Sequence, residues 1–384
     1  MKIAYIPGAF FPDPGGAQVQ VHNLANVMSQ NKHVVDVLLL KKTNIKNKKY
    51  KFHYLNKFII NLVYLFNYYL KININFLLDF YLQKLIKKKR YEVWHFIFLN
   101  YKSLLLIQSL YRLKQKIVVT FQGADLQINK EINYGNRLDK KYDNILKETL
   151  NKINKFTAIS KNIYLDLIKI GVKEDKIVLI PNGVPSKKFN KLMLKDKKKN
   201  TKKINLITVA RYAEKKKGYD LIPLILNDLV KLKINFEWTI IGKDTSKIFN
   251  NETVTKYKKK FKIFENVFIL KENFFPSQII INKYFESDLY INLSRIESFG
   301  ITFVEALSAN LPVLTFDTKG ANEIIINNYN GFIIKNDNKS NFCKKILQLS
   351  KDKKFFKNKP ISSSKKYDLD KLKKDYEKMY QHDL

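Results

Sequence analysis

One cysteine, Cys343, is the chain's whole supply of thiols. An internal disulfide and a cysteine-based zinc cluster are therefore excluded, and nothing marks an oxidising compartment, so a cytoplasmic setting is expected. Long apolar runs are missing too: none approaches the roughly 18 uninterrupted residues that a transmembrane helix requires. The opening MKIAYIPGAFFPDPGGAQ is a short strand-like run that reaches Pro7 and Gly8. It has neither the apolar length nor the small-residue cleavage site of a signal peptide. Acidic residues are few, 34 Asp and Glu against 71 Lys and Arg, for a formal net charge of +37. Such a charge points to an anionic partner, nucleic acid or an anionic bilayer. The lysines, however, spread through most surface segments with abundant Asn and Ile, as in KKTNIKNKKYKF (41–52) and LKDKKKNTKKIN (194–205). A genome biased toward A and T would spell an ordinary protein in this way. RRM, KH and C₂H₂ patterns are absent, and no nucleic-acid partner is expected.

What is present is enough apolar sequence for two cores. Hydrophobic residues make up 45% of 384 residues, which suits a folded chain of two domains. KIAYI (2–6), a Gly/Pro loop and the helically spaced VQVHNLANVMSQ form a strand, loop and helix. VVDVLLL (34–40), YEVWHFIF (91–98) and KIVVTFQG (116–123) read as further buried strands with helical stretches between them. After FTAIS (156–160), VLIPNGV (178–184) and a Lys-rich spacer at 187–203, a second series opens at INLITVARY (204–212). It continues through EWTIIG (237–242), NVFIL (266–270), DLYINLS (288–294), LPVLTFD (311–317) and GFIIK (331–335). Alternating strands and helices predict an α/β chain of two doubly wound, Rossmann-like domains, 1–186 and 187–365, with ligands held where the carboxyl ends of the sheets face a cleft. YDLDKLKKDYEKMYQHDL (367–384) reads as an amphipathic helix with Leu369, Leu372, Tyr376 and Met379 on one face. From residue 366 it is expected to cross back to the first domain.

The densest signal is INLSRIESFGITFVEALSANLPVLTFDTKGANEI (291–324). Glu297 and Glu305 stand eight positions apart, one before a Phe-Gly turn and the other inside the helix that should follow. If that helix starts near Gly300, its first N–H groups and positive dipole end can hold a phosphate.

The spacing SxxESFG, the following EA and the PV of the next strand resemble the family-4 (group 1) retaining glycosyltransferases. Further matches occur in the family's order: GGAQ after the first strand, PNGV at 181–184, ARYAEKKKG at 210–218 and GFII at 331–334. The resemblance spans nearly the whole chain and implies the GT-B fold and a nucleotide-sugar donor, UDP-linked by default and GDP-linked next. It implies that Arg211 and Lys217 neutralise the donor diphosphate and that N–H groups around Gly300 and Ile301 bind the distal phosphate. Glu305 would take the ribose hydroxyls and Glu297 the sugar's own hydroxyls, with Ser298, Phe299 and Asn182 also on the donor side. Gly15 and Gly16 would let the first loop approach diphosphate and sugar closely. The retaining mechanism follows from the resemblance alone.

Family members often carry a histidine where this chain has Gln122, and glutamine takes no proton at neutral pH. No general base is assigned there. Gln122, His95 and Asp125 are acceptor-side candidates, although a lone histidine beside strand residues is more often structural. The one DxD triplet, Asp368-Leu369-Asp370, lies in the C-terminal segment and not after a strand. It reads as a helix cap or surface charge, and no metal or other cofactor is expected. FIINLVYLFNYYLKININFLLDFYLQKLIKKKR (58–90) is either a set of ordinary core helices or a surface that dips into an anionic leaflet. The expected reaction is hexosyl transfer to a glycan or lipid-linked acceptor in surface polysaccharide or lipopolysaccharide synthesis, peripheral to the inner face of the cytoplasmic membrane. A non-catalytic, basic anion-binding protein and a nucleotide-sugar hydrolase or epimerase remain the alternatives.

Overall fold

The computed structural model describes residues 1–384 except 12–14, 31–32, 44, 47, 194–202, 266–273, 336–337, 353–355, 357–358 and 383–384. The chain forms two compact units. One comprises Met1–Asn182, Phe274 and the C-terminal Leu369–Leu384, and the other comprises Gly183–Ile269 and Phe275–Asp368. The sequence expectation drew its line at 186/187, inside what is the helix Ser186–Met193. The strand expected at 266–270 lies outside the described residues.

The first unit holds β1 (Lys2–Pro7), β2 (Val34–Leu39), β3 (Lys51–Tyr54), β4 (Val93–Ile97), β5 (Ile117–Phe121), β6 (Lys155–Ala158) and β7 (Ile177–Leu179). Among the described residues they make one sheet in the order β3-β2-β1-β4-β5-β6-β7, and every pairing is parallel. The central strands are buried along their whole length, as expected where helices cover both faces of such a sheet; all of VWHFI and IVVTF is buried. The last helix, Leu369–His382, belongs to this unit. Its Leu369, Leu372, Tyr376, Met379 and Tyr380 are buried in the core formed by Ile3, Tyr5, Val21 and Val93.

The second unit repeats the pattern with β8 (Ile204–Val209), β9 (Phe236–Ile241), β10 (Phe261–Phe264), β11 (Leu289–Asn292), β12 (Val313–Phe316) and β13 (Gly331–Ile334). The order is β10-β9-β8-β11-β12-β13, again parallel throughout. In both sheets the order reverses beside the first strand, between β1 and β4 and between β8 and β11. Open α/β sheets bind ligands outside the carboxyl ends of the strands at that reversal. In the second unit these ends are the loop after Val209, which carries Arg211 and Lys217, and the loop after Asn292, which carries Glu297.

Candidate functional site

Loop 210–218 leaves β8 with Ala210 still in register, its N–H bonded to the Ile241 carbonyl at 2.9 Å. Its far end is fixed by Gly218, whose φ is +69° and whose Cβ, if it had one, would sit 2.0 Å from the Leu293 carbonyl oxygen. The two loops are thus in backbone contact, which only glycine permits here. Arg295 reinforces the contact. Its guanidinium grips Asp220 with two hydrogen bonds of 2.7 Å and donates to the Lys215 carbonyl at 2.7 Å, and its N–H reaches the Lys216 carbonyl at 3.1 Å. Gly218→Ala combines left-handed strain with a backbone clash, and should lower stability by roughly 2 kcal/mol or more. Chemical denaturation of the purified variant checks this, and an unchanged midpoint would mean that the loops separate without cost.

That pinning sets the charges. Lys217 forms an ion pair with Glu297 Oε1, which also accepts from Ser294 Oγ at 2.9 Å, and the two side chains are 19% and 12% exposed. Burial pushes the Glu297 carboxyl up, but the charge and hydrogen bond of Lys217, the Ser294 hydroxyl and the Lys216 charge outweigh it, so the net direction is down. Glu297 is therefore an anion at neutral pH. Lys216, lowered to about 8 by burial and then by Lys217 and Arg211, is held partly against its charge. Arg211 is exposed. A dianionic ligand would relieve the crowding of these three cations, and Lys217 keeps two further N–H donors for it.

The third element is the helix Ile301–Ser308. Gly300 occupies its cap position in the left-handed region (φ +89°), no side chain caps it and no acidic residue lies in its first turn. Such an end favours an anion. The loop before it is braced from below by Gly320, whose N–H donates to the Glu297 carbonyl at 2.8 Å. Ser298 and Phe299 are buried, and the Phe299 ring meets Tyr367 edge-on at 5.6 Å. One turn into the helix, Glu305 is 5% exposed and accepts from the Tyr284 hydroxyl at Oε2, 2.8 Å away. Burial raises its carboxyl to about 7, against the opposing pull of Tyr284 and of the Lys188 charge.

Arg211, Lys217, Glu297, Ser298, Phe299, Gly300, Ile301 and Glu305 thus all sit on the two loops and one helix at the carboxyl ends of β8 and β11. The remaining candidates lie in the first unit. Gly15 and Gly16 open the helix Gly16–Ser29. Gly15 has extended backbone, and an added Cβ would meet only the Gln18 amide, the far end of a flexible side chain. Gln122 and Asn182 form a reciprocal amide pair, Asn182 Nδ2 to Gln122 Oε1 at 3.0 Å and Gln122 Nε2 to Asn182 Oδ1 at 3.3 Å.

The acceptor-side reading of His95 and Asp125 needs correction, since both are 0% exposed. His95 is clamped between the Tyr380 hydroxyl at 2.5 Å and Thr120 Oγ1 at 2.7 Å, and burial lowers it to about 3, so it stays neutral. Asp125 is raised to about 6 by burial, against the hydrogen bonds it accepts from the backbone N–H groups of Leu99, Gln122 and Gly123. It holds the turn after β5 and presents nothing to a ligand. Sequence reasoning missed Ser294, Tyr284, Arg295 and Lys216. Of these, Ser294, the first residue of SxxESFG, and Lys216, next to Lys217 in EKKKG, left a signal that could have been read.

The comparisons with known proteins agree with this architecture. Residues 14–188 match the family described as Glycosyltransferase Family 4, and residues 190–366 match Glycosyl transferases group 1. A poly(ribitol-phosphate) alpha-N-acetylglucosaminyltransferase of Staphylococcus aureus is 26% identical over 211 residues, 55% of this chain and 39% of that protein. The O-antigen biosynthesis glycosyltransferase WbnH of Escherichia coli is 28% identical over 170 residues, 44% of this chain and 42% of its own. The matched stretches span about two-fifths of the length of these two relatives. The crystal structure of Anabaena Alr3699/HepE in complex with UDP and glucose superposes with a TM-score of 0.71 at 13% identity, over 99% of both chains. The two parallel Rossmann-like sheets are those of the GT-B fold, and the chain belongs to the group 1, family 4 glycosyltransferases.

Proposed function

We propose that the chain is a retaining, metal-independent hexosyltransferase. It moves a sugar from a nucleotide-sugar donor, UDP-linked in first place and GDP-linked next, to a glycan or lipid-linked acceptor of surface polysaccharide or lipopolysaccharide. It works peripherally on the inner face of the cytoplasmic membrane. The observation that carries the reading is the Lys217–Glu297–Ser294 constellation beside an uncapped, acid-free helix end. In this reading Arg211 and Lys217 neutralise the diphosphate as its bond to the anomeric carbon breaks, which is the work a divalent metal would otherwise do. The N–H groups at Gly300 and Ile301 hold the distal phosphate, Glu305 the ribose hydroxyls, and Glu297 the hydroxyls of the sugar. The acceptor oxygen bonds to the anomeric carbon on the face the diphosphate leaves, and a phosphate oxygen takes its proton. Catalysis is then positioning and charge stabilisation. Support comes from the structural neighbour solved with UDP and glucose, and from relatives named for cell-wall and O-antigen glycosyl transfer.

The test is thermal stabilisation of the purified protein by UDP, GDP and their sugars, with Lys217→Ala alongside. At about 100 times its dissociation constant, the right nucleotide stabilises by about 2.7 kcal/mol. The shift should appear with one base and disappear in the variant. No shift with any nucleotide would sink the donor assignment and favour a non-catalytic anion-binding protein. Sugar release that is equal with and without acceptor would favour a hydrolase or epimerase.

A further inference from the structure

The helices Lys57–Leu65 and Asn75–Lys89 of the first unit, with the turn Phe66–Leu70 between them, carry the most exposed large apolar side chains among the described residues, and clustered exposed apolar groups mark interaction surfaces. Phe58, Phe76, Tyr69 and Phe80 are 74%, 65%, 63% and 59% exposed, the four highest values for large hydrophobic residues among those described. Leu65, Leu70 and Ile72 add to the same stretch, and every exposed phenylalanine among the described residues lies in it. These are not core helices with a frayed edge, because each has a separate inward face: Ile60 and Val63 on one, and Leu78, Leu82 and Leu85 on the other, are buried.

The hairpin is held firmly. The Asn56 N–H donates to the Tyr81 hydroxyl at 2.9 Å, and Asn67 Nδ2 donates to Asn75 Oδ1 at 3.1 Å. Asp79 receives two hydrogen bonds from Arg112 at 2.7 and 2.8 Å. That pair occupies the one acidic residue between 55 and 90, a span with seven basic residues: Lys57, Lys71, Lys84, Lys87, Lys88, Lys89 and Arg90. Along the second helix the outward face runs from Phe76 and Phe80 to Lys84 and Lys87. The Lys84 ammonium lies 4.1 Å from the centre of the Phe80 ring. Tyrosines gather at the turn, with Tyr64 stacked on Tyr68 at 5.2 Å and Tyr68 edge-on to Tyr101 at 5.0 Å.

We propose that this hairpin is a docking surface for an anionic phospholipid bilayer. Phe58, Tyr69, Leu70, Ile72, Phe76 and Phe80 enter the boundary between headgroups and acyl chains, and the lysines lie among the headgroups. Aromatic tips, tyrosines and a lysine-rich flank on helices that lie flat are the chemistry of that boundary. A second copy would bring two basic arrays together, so charge argues against self-association. No helix among the described residues is long and apolar enough to cross a membrane, which leaves surface docking as the mode. The assignment rests on the membrane-peripheral reading above, but needs no sugar transfer to be tested.

The experiment is vesicle flotation of the full chain. It compares vesicles of phosphatidylcholine and phosphatidylglycerol at roughly 7:3 with vesicles of phosphatidylcholine alone, at low and high salt. Binding to the anionic vesicles should weaken with salt. The double variant Phe76→Ser, Phe80→Ser should lose at least about tenfold in partitioning. Lys87→Gln with Lys88→Gln should lose several-fold, and only at low salt. Melting temperatures should match the parent, since all four side chains are outside the core. Absence of binding, undiminished binding by the phenylalanine variant, or a dimer in solution that this variant dissolves would each overturn the proposal. UDP-induced stabilisation is measured on the same samples. Lost vesicle binding with that shift intact rejects only the docking surface, and a missing shift with vesicle binding intact rejects only the nucleotide-sugar reading.

Discussion

Lys217→Ala should reduce sugar transfer by about 10²–10³-fold, the usual cost of removing one preorganised group that stabilises transition-state charge. The same substitution leaves Glu297 as a nearly buried carboxylate with the Ser294 hydroxyl as its remaining hydrogen-bond partner among the described residues. Losing one member of a buried ion pair is costly because the survivor is uncompensated. Here both groups keep some exposure, so a destabilisation of about 1–3 kcal/mol is expected. These two consequences separate in a double-variant cycle. Adding Glu297→Gln to Lys217→Ala removes the stranded charge and should restore part of the stability. With the roles proposed above it should restore no activity, because the diphosphate would still lack its cation and the sugar its carboxylate. Denaturation midpoints and rates of nucleotide release on the four proteins check both. If activity returns with stability, Lys217 serves only to hold the loop, and the catalytic reading of the pair fails.

Much of this arrangement is legible in the sequence, for physical reasons that can be traced residue by residue. Central parallel strands are buried on both faces, so β4 and β5 appear as apolar runs interrupted only by His95 and Thr120, and Gly300 marks the start of a helix because the left-handed cap position suits glycine. The strands that escaped notice are β3 and β10, both at sheet edges. Each is four residues long with a lysine in it, KFHY and FKIF, and edge strands carry charge because an apolar, unpaired edge would aggregate. In the site, most candidate residues share one of two short segments, 210–218 and 297–305. The partners that fix their chemistry come from far along the chain: Tyr284 reaches Glu305, and Arg295 reaches Asp220 across 75 positions. Spacing within a motif cannot report such contacts. Burial is equally invisible locally, and so His95, within β4, and Asp125, in the turn after β5, looked like site groups although both are enclosed.

The pH dependence of Glu305 should have opposite signs for stability and for nucleotide affinity. Its carboxyl is raised to about 7 in the folded chain from an ordinary 4.5, because burial disfavours the anion. A raised folded value means that its contribution to stability is fully present below pH about 4.5 and is lost as pH climbs through about 7. The loss amounts to at most about 3 kcal/mol. Asp125, raised to about 6, contributes a loss of the same sign at lower pH, so only a comparison of proteins isolates Glu305. In Glu305→Gln the decline between pH 6 and 8 should flatten by roughly 1–2 kcal/mol, while the earlier part persists. Binding runs the other way. Tyr284 occupies Oε2, and Oε1 has no hydrogen-bond partner among the described residues. In the proposed reading ribose hydroxyls donate toward that oxygen and favour the ionised form, so affinity for UDP should rise as pH passes 7 in the parent and stay level in the glutamine variant. Denaturation and titration calorimetry over pH 5.5–8.5 measure both slopes. A stability slope that flattens without any change in the binding slope would assign Glu305 to the core of the second unit and leave the ribose to another group.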